Sequence, residues 1–158
     1  MIMDHKLKLM VVDDSPLFRT WLIRSLSADD RFQIVGYAVN ALDAQEKIPL
    51  LQPDMLTLDI EMPGMSGIDF LKQLLPVHPI PVILVSSLNL RVFDALEAGA
   101  VDFVRKPDEA NGLSKEIFLS MLRSKLLVAA ASHVHLPSVP ASPQAAKKSD
   151  SLSFNCGR

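Results

Sequence analysis

Residues 56–67 read LTLDIEMPGMSG, in which an apolar run leads into an aspartate and then a Pro-Gly pair. Asp59 follows the short apolar run 55–58, and the Pro-Gly pair at 63–64 comes too soon afterwards for a strand to continue. A carboxylate is therefore predicted where a buried strand runs into a loop. Open parallel α/β sheets bind ligands outside the carboxyl ends of their strands, so this position suits chemistry. Taken alone, the pattern fits an ordinary loop aspartate before a turn better than a functional site.

The composition is that of an ordinary globular domain. The chain has 158 residues, of which 49% are hydrophobic, and a net charge of −2, so it can hold one domain with a core and a tail besides. This charge gives no basic surface for nucleic acid. One cysteine, Cys156, allows no internal disulfide and is typical of a reducing compartment. The apolar runs are far shorter than the ~20 residues of a membrane span, and residues 1–8 alternate charged with apolar residues and have no signal-peptide core. We therefore expect a cytoplasmic protein that contacts neither membrane nor nucleic acid through this domain.

Short apolar runs alternate with amphipathic stretches along the chain. The predicted strands are 7–12, 32–37, 55–58, 82–85 and 101–104, and the predicted helices are 16–27, 41–50, 67–75, 91–98 and 113–130. The expected core-facing residues include Leu17, Phe18, Trp21, Leu22 and Leu26 in the first helix, and Leu113, Ile117, Met121 and Leu122 in the last. Ser15, Asn40 and Ser66 are expected to cap the helices that follow them.

Parallel strands need crossover connections, and these are right-handed in nearly every case. The predicted fold is therefore α/β, a doubly wound five-stranded parallel sheet of order 2-1-3-4-5 with helices on both faces. Residues 6–131 would form this domain. Residues 132–158 are rich in Ala, Pro and Ser and are expected to form a linker or flexible tail.

Polar side chains follow four of these strands. Asp13 and Asp14 follow the first strand, Asp59 the third, Ser86 the fourth and Lys106 the fifth. Because the first and third strands are neighbours in the predicted order, the acids should converge at one crevice. Carboxylates held close together repel one another, and an oxygen-only cluster suits Mg²⁺. Asp59 could then attack a phosphoryl donor in line and form an aspartyl phosphate, with Lys106 and Ser86 neutralising the charge.

These motifs, in this order, resemble the signature of two-component response-regulator receiver domains over about residues 6–127. The resemblance rests on VVDDS at 11–15, DIEMP at 59–63, VSS at 85–87 and KP at 106–107. Four weak motifs at four strand ends make a specific combination.

The resemblance implies a role for each site residue. Asp59 is the implied phosphoacceptor, and Mg²⁺, with Mn²⁺ as a possible substitute, is implied to bind Asp13, Asp14, Asp59 and the backbone carbonyl of Glu61. Ser86 and Lys106 are implied to contact the phosphoryl group. Ser86 and Phe103 are the implied switch residues, and Pro107, directly after Lys106, is a candidate for a cis peptide bond. The implied phosphodonor is a histidine kinase.

A narrower resemblance is to the regulatory half of the chemotaxis protein-glutamate methylesterases. It rests on TLDIEMP at 57–63, PVILVSSL at 81–88 and GAVDFV at 99–104. It implies a CheA-like kinase as phosphodonor, and a chemoreceptor or the protein's own C-terminal hydrolase domain as further partners. The sequence departs from this family in two ways: residues 89–98 are about one turn shorter, and a hydrolase domain with its G-x-S-x-G motif is absent. The parent protein would be a carboxylic ester hydrolase, whereas this chain would have only the chemistry of its own phosphorylation and dephosphorylation.

Two alternatives remain open. The chain could be a stand-alone single-domain response regulator. It could also be a Mg²⁺-dependent phosphatase with an aspartate nucleophile, because Glu61 lies two residues beyond Asp59, where such enzymes carry a second acid; the missing cap insertion disfavours this. His133 and His135 are expected to be a solvated pair, and Cys156 an inert exposed thiol.

Overall fold

Strands and helices alternate strictly in the computed structural model, which describes residues 6–87, 91–108, 110 and 112–135, with the backbone alone at 133–135. The strands are β1 (Leu7–Val12), β2 (Phe32–Ala38), β3 (Met55–Leu58), β4 (Val82–Ser86) and β5 (Asp102–Arg105). The helices are α1 (Pro16–Ser27), α2 (Ala41–Leu51), α3 (Gly67–Leu74), α4 (Arg91–Glu97) and α5 (Lys115–His135). The predicted elements are all present, with ends that differ by a few residues.

All strand pairs are parallel, and the sheet order is β2-β1-β3-β4-β5. The prediction of a doubly wound α/β sheet is therefore confirmed. Strands β3 and β4 are buried along their whole length, as expected for central parallel strands with helices on both faces. Residues 12 and 58 are register partners at the carboxyl edge, and this pairing brings the positions after β1 and β3 side by side.

Two hydrophobic cores lie on opposite faces of the sheet. Successive strand side chains point to opposite faces, so Met10 and Val12 contribute to one core, while Leu9 and Val11 contribute to the other. The first core is completed by buried residues of α2, α3 and α4, and the second by buried residues of α1 and α5. Both faces of the sheet are therefore covered, and its carboxyl edge is left for chemistry.

Two of the three predicted N-cap residues cap their helices. Asn40 and Ser66 cap as predicted, since their side-chain oxygens accept from the N–H groups of Asp43 and Asp69. Ser15 does not cap α1 with its side chain. Its backbone N–H instead donates to Oδ1 of Asp13 at 2.8 Å. Ser15 therefore holds the carboxylate of Asp13 and does not cap the start of α1.

The predicted core-facing residues of α1 and α5 were partly wrong. Ile117 and Met121 are 50% and 42% exposed, and Leu17 is 86% exposed. The buried face of α5 is formed by Phe118, Leu122, Leu126 and Ala129. These residues recur every three or four positions and form one stripe, whereas the predicted set combined two neighbouring faces of the helix.

The last helix continues past residue 131, the predicted end of the domain, and reaches His135. Residues 136–158, including Cys156, lie outside the described residues, as do the side chains of His133 and His135. The linker assignment for 132–158 therefore stays a prediction.

Candidate functional site

The sheet hydrogen bonding extends beyond the strands and fixes the backbone of the site residues. The N–H of Asp59 donates to the carbonyl of Val12 at 3.0 Å, and the N–H of Lys106 donates to the carbonyl of Ser86 at 2.9 Å. These side chains therefore start from rigid positions at the carboxyl edge.

Asp59 lies at the centre of the site. Its carboxylate is held on one oxygen, Oδ1, by the hydroxyl of Ser86 at 3.1 Å and by the N–H of Glu61 at 3.2 Å. The other oxygen, Oδ2, lies 3.4 Å from Nζ of Lys106. Asp59 is 6% exposed and Ser86 is 1% exposed, so both polar groups are almost removed from water.

Gly67, the first residue of α3, is needed for the close packing behind Asp59. A Cβ at this position would lie 2.7 Å from the carbonyl oxygen of Asp59 and 2.8 Å from the Cα of Ile60. These neighbours are backbone atoms and cannot move aside cheaply. The absence of a side chain at Gly67 therefore allows α3 to begin directly beneath the loop that follows Asp59.

Asp13 and Lys106 form the second half of the site. Their Oδ2 and Nζ atoms are 3.0 Å apart, and the side chain of Asp13 is 3% exposed. The ammonium of Lys106 therefore bridges Asp13 and Asp59. Asp14 is exposed, and one carboxylate oxygen from each of the three aspartates lies within 4.8 Å of the others.

The charges of this cluster do not balance, because three carboxylates face one ammonium. A set of carboxylate oxygens with excess negative charge fits a hard divalent cation. The structure thus shows that Asp13, Asp14 and Asp59 could together hold a metal ion.

Burial and charge shift two pKa values at the site. Burial raises the pKa of the Asp59 carboxyl, and the charge of Asp13 adds to this, while the Lys106 ammonium opposes it. For Lys106, burial alone would lower the pKa, but the carboxylates of Asp13 and Asp59 outweigh it and raise the pKa. Lys106 is therefore a cation throughout the neutral range, whereas burial and the charge of Asp13 disfavour the ionised form of Asp59.

The remaining predicted residues lie around this centre. Phe103 is a register partner of Leu84 on β4 and is partly buried against the core that α2, α3 and α4 cover. Glu61 is exposed, and its N–H bonds Asp59. The roles implied for these residues stay predictions.

The prediction of a cis bond before Pro107 was wrong, because the described residues contain no cis peptide bond. A trans bond is the preferred isomer before proline by about 0.5–1 kcal/mol. The trans backbone already brings the N–H of Lys106 to Ser86 and its ammonium to Asp13, so the site does not require the other isomer.

Two residues at the site were missed by sequence reasoning. Nη1 of Arg19 donates to the main-chain carbonyl of Asp13 at 2.8 Å, and the ring of Phe18 lies 4.6 Å from Nζ of Lys106. Helical spacing marks Phe18 as a core residue and Arg19 as a surface residue. The only available signal was their place in the first turns of α1, directly after the two acids.

None of the helices in residues 6–87, 91–108, 110 and 112–135 combines the length and apolar character that a membrane crossing requires. The cytoplasmic location stays a prediction.

Comparison with known proteins gives relatives with a consistent description. Protein-glutamate methylesterase/protein-glutamine glutaminase 2 of Syntrophomonas wolfei is 46% identical over 125 residues, which are 79% of this chain and 37% of the relative. The protein of the same description from Vibrio vulnificus is 42% identical over 137 residues, 84% of this chain and 40% of the relative. The chain thus spans about two fifths of the length of these relatives.

Solved structures agree with this similarity. The response regulator domain of Thermotoga maritima CheB is 36% identical with a TM-score of 0.71, covering 80% of this chain and 98% of that chain. The BeF3-activated receiver domain of Klebsiella pneumoniae RstA is 26% identical with a TM-score of 0.66, covering 78% of this chain and 97% of that chain. Residues 9–118 match the family model of the response regulator receiver domain. The acid cluster at the carboxyl edge thus lies within a matched family domain, and the chain belongs to the response regulator receiver domain family.

Proposed function

We propose that this receiver domain is a phosphorylation switch in which Asp59 accepts a phosphoryl group from a histidine kinase. The observation that supports this most is the environment of the Asp59 carboxylate. It lies between the hydroxyl of Ser86 and the ammonium of Lys106, beside the two acids that follow β1, in a chain of the receiver family. The hydroxyl and the ammonium suit a phosphoryl group on Asp59, and the acids suit a cation that would offset its charge.

The proposed reaction is an in-line displacement. A carboxylate oxygen of Asp59 forms a bond to phosphorus while the bond from phosphorus to the donor's histidine nitrogen breaks, and the freed imidazole takes a proton from solvent. Asp59 needs no general base because it reacts as a carboxylate. Lys106 is already within 3.4 Å of Oδ2 and is placed to neutralise charge on the transferred oxygens.

The proposed metal is Mg²⁺, with Mn²⁺ as a possible substitute. Asp13, Asp14, Asp59 and the backbone carbonyl of Glu61 would hold it. When bound, the cation supplies electrostatic stabilisation to the phosphoryl oxygens. The excess negative charge of the three carboxylates supports this assignment.

Ser86 and Phe103 are the proposed switch. In the structure the hydroxyl of Ser86 donates to Oδ1 of Asp59. A phosphoryl group on Asp59 offers stronger acceptors, so we expect this hydroxyl to turn towards it. Phe103 would then turn inwards and alter the surface formed by α4, β5 and α5.

The proposed biological setting is chemotaxis. The relatives described above are named as protein-glutamate methylesterases, and this chain covers only their receiver region. We propose that the chain is the regulatory part of such a protein, phosphorylated by a CheA-like kinase. A hydrolase domain or a chemoreceptor would be the partner of the switched surface. The stand-alone regulator is the alternative that a longer reading of the gene would decide.

The proposal is tested by phosphorylation with acetyl phosphate and Mg²⁺, followed by mass spectrometry of the intact chain, and by binding of beryllium fluoride. One phosphoryl group is expected, and Asp59→Asn should abolish it. Asp94→Asn is the matched control, because Asp94 is an exposed acid of α4 that is not part of the acid cluster. Stable beryllium fluoride binding by Asp59→Asn would contradict the proposal, and rapid multiple-turnover hydrolysis of p-nitrophenyl phosphate would favour the phosphatase.

A further inference from the structure

Arg19 contacts the acid cluster from its main-chain side. It is partly buried in α1, and its Nη1 donates to the carbonyl oxygen of Asp13 at 2.8 Å. That carbonyl lies at the point where the chain leaves β1 and presents Asp13 and Asp14. Bonds from a charged donor are short and strong, so the contact ties α1 to the backbone that carries both acids.

The guanidinium is also held in place by the edge strand β2. Its central carbon lies 4.7 Å from the ring centroid of Tyr37, within the range of a cation–π contact. Lys47 of α2 lies 4.9 Å from the same centroid, and its Nζ donates to the Tyr37 carbonyl at 2.7 Å. Lys47 in turn pairs with Asp43 at 3.1 Å. The Arg19 side chain is therefore supported by contacts that reach α2.

We infer that Arg19 is a positioning residue for the metal site: held on the Tyr37 ring, it fixes the main chain of Asp13 and thereby orients the carboxylates of Asp13 and Asp14. This rests on the proposed Mg²⁺ site. Side chains that hold a ligand residue from outside the coordination shell typically change metal affinity by about 10- to 100-fold when removed. Asp13 receives such support on both sides, from Arg19 on its carbonyl and from the Ser15 N–H on its carboxylate.

Electrostatics alone predicts the opposite result. A guanidinium close to the acids repels a divalent cation, so removing its charge should tighten Mg²⁺ binding if charge were its only contribution. Loss of positioning should weaken binding. The direction of the change in affinity therefore separates the two roles, and a general loss of stability is detected by a separate unfolding measurement.

The experiment measures the dissociation constant of Mg²⁺ by isothermal titration calorimetry at fixed ionic strength, on the whole chain without phosphodonor. Arg19→Met is expected to raise the dissociation constant about 10-fold or more. Arg19→Lys keeps the charge but loses the planar group that stacks and donates in a fixed geometry, so a smaller rise is expected. Arg24→Met removes the same charge from an exposed position of α1 and should leave the constant unchanged or slightly lower. Urea unfolding in EDTA shows whether each variant folds.

Tyr37→Leu provides a second variant if Arg19→Met does not fold. It removes the ring beneath the guanidinium and leaves Arg19 itself, and a rise of several-fold is expected. An unchanged or lower dissociation constant in the folded Arg19→Met variant, or in both Arg19→Lys and Tyr37→Leu, would overturn the inference for Arg19 alone. Asp13→Asn tests the site itself: if the unaltered chain binds no Mg²⁺, or Asp13→Asn binds it equally well, the proposed metal site fails and the inference fails with it.

Discussion

Two of the clusters in which carboxylates meet cations, among the residues that the structure describes, differ in how far their charges are satisfied. At the end of α1, Asp29 pairs with Arg31 at 2.7 Å and lies 3.5 Å from Nε of Arg123. At the carboxyl edge of the sheet, Asp13 and Asp59 share Lys106. The first cluster has more cations than acids, whereas the second has more acids than cations.

The pKa values follow this difference. Hydrogen bonding to Arg31 lowers the pKa of Asp29 to about 2, whereas burial raises that of Asp59. The Asp29 carboxylate, which its cationic partners stabilise, therefore contributes to the stability of the fold. The buried Asp59 carboxylate shares one ammonium with Asp13 and is under strain that a metal ion would relieve.

The largest expected effect comes from removing the shared cation. Lys106→Met should lower the rate of phosphorylation of Asp59 by acetyl phosphate on the order of 100-fold or more, as is typical when one charge-stabilising donor is lost. The rate is measured by stopped reactions and intact mass. Lys125→Met is the matched control, because Lys125 pairs with Asp102 on the surface, away from the acids. A Lys106→Met rate within a few-fold of the unaltered chain would remove Lys106 from the proposed reaction.

The second prediction concerns the sign of a stability change. Because the folded protein raises the pKa of Asp59, the ionised carboxylate opposes folding at neutral pH. Asp59→Asn should therefore increase the free energy of unfolding in EDTA at pH 7, while keeping an oxygen for the Ser86 hydroxyl. Urea unfolding measures this change. A decrease would mean that Lys106 already satisfies Asp59 in the free protein.

The sequence was sufficient for the sheet and for the convergence of the acids. Strand runs such as 55–58 are local patterns, and the crossover rule leaves few sheet orders for alternating strands and helices. Once the order was fixed, Asp13, Asp59, Ser86 and Lys106 had to meet, because all lie at or directly after strand ends at one edge.

The sequence was insufficient where a side chain has a choice of neighbours. Ile117 and Phe118 are both apolar and adjacent, and only packing against the sheet decides that Phe118 is buried. The guanidinium of Arg19 in α1 donates to the main-chain carbonyl of Asp13, which follows β1, and lies over the ring of Tyr37 in β2. Such contacts depend on the distance between secondary-structure elements, and the periodicity of residues along one helix gives no information about that distance.

Replacing Asp29 should change the free energy of unfolding in the opposite direction from replacing Asp59. Asp29→Asn removes an acid whose pKa is lowered, so it should decrease the free energy of unfolding at pH 7 by about 1 kcal/mol. The change is smaller than the pKa alone suggests because the side chain of Arg31 is 57% exposed and water screens the pair. Urea unfolding beside Asp30→Asn, an exposed neighbour, measures it. Equal signs for Asp29→Asn and Asp59→Asn would break the contrast between the two clusters.

The smallest expected effect is the pH dependence of the change in unfolding free energy that Asp29→Asn causes. A carboxyl whose folded pKa is about 2 stabilises the fold above the unfolded value of 3.8, and this contribution is lost as the pH falls through 3.8 towards 2. The difference in unfolding free energy between the unaltered chain and Asp29→Asn should therefore be constant from pH 7 to about pH 5 and decline below about pH 4. Matched urea titrations at each pH measure the difference, in which other titrating carboxyls cancel. A difference that stays constant down to pH 3 would show that Asp29 stabilises the fold through hydrogen bonds that asparagine cannot replace, and not through its charge.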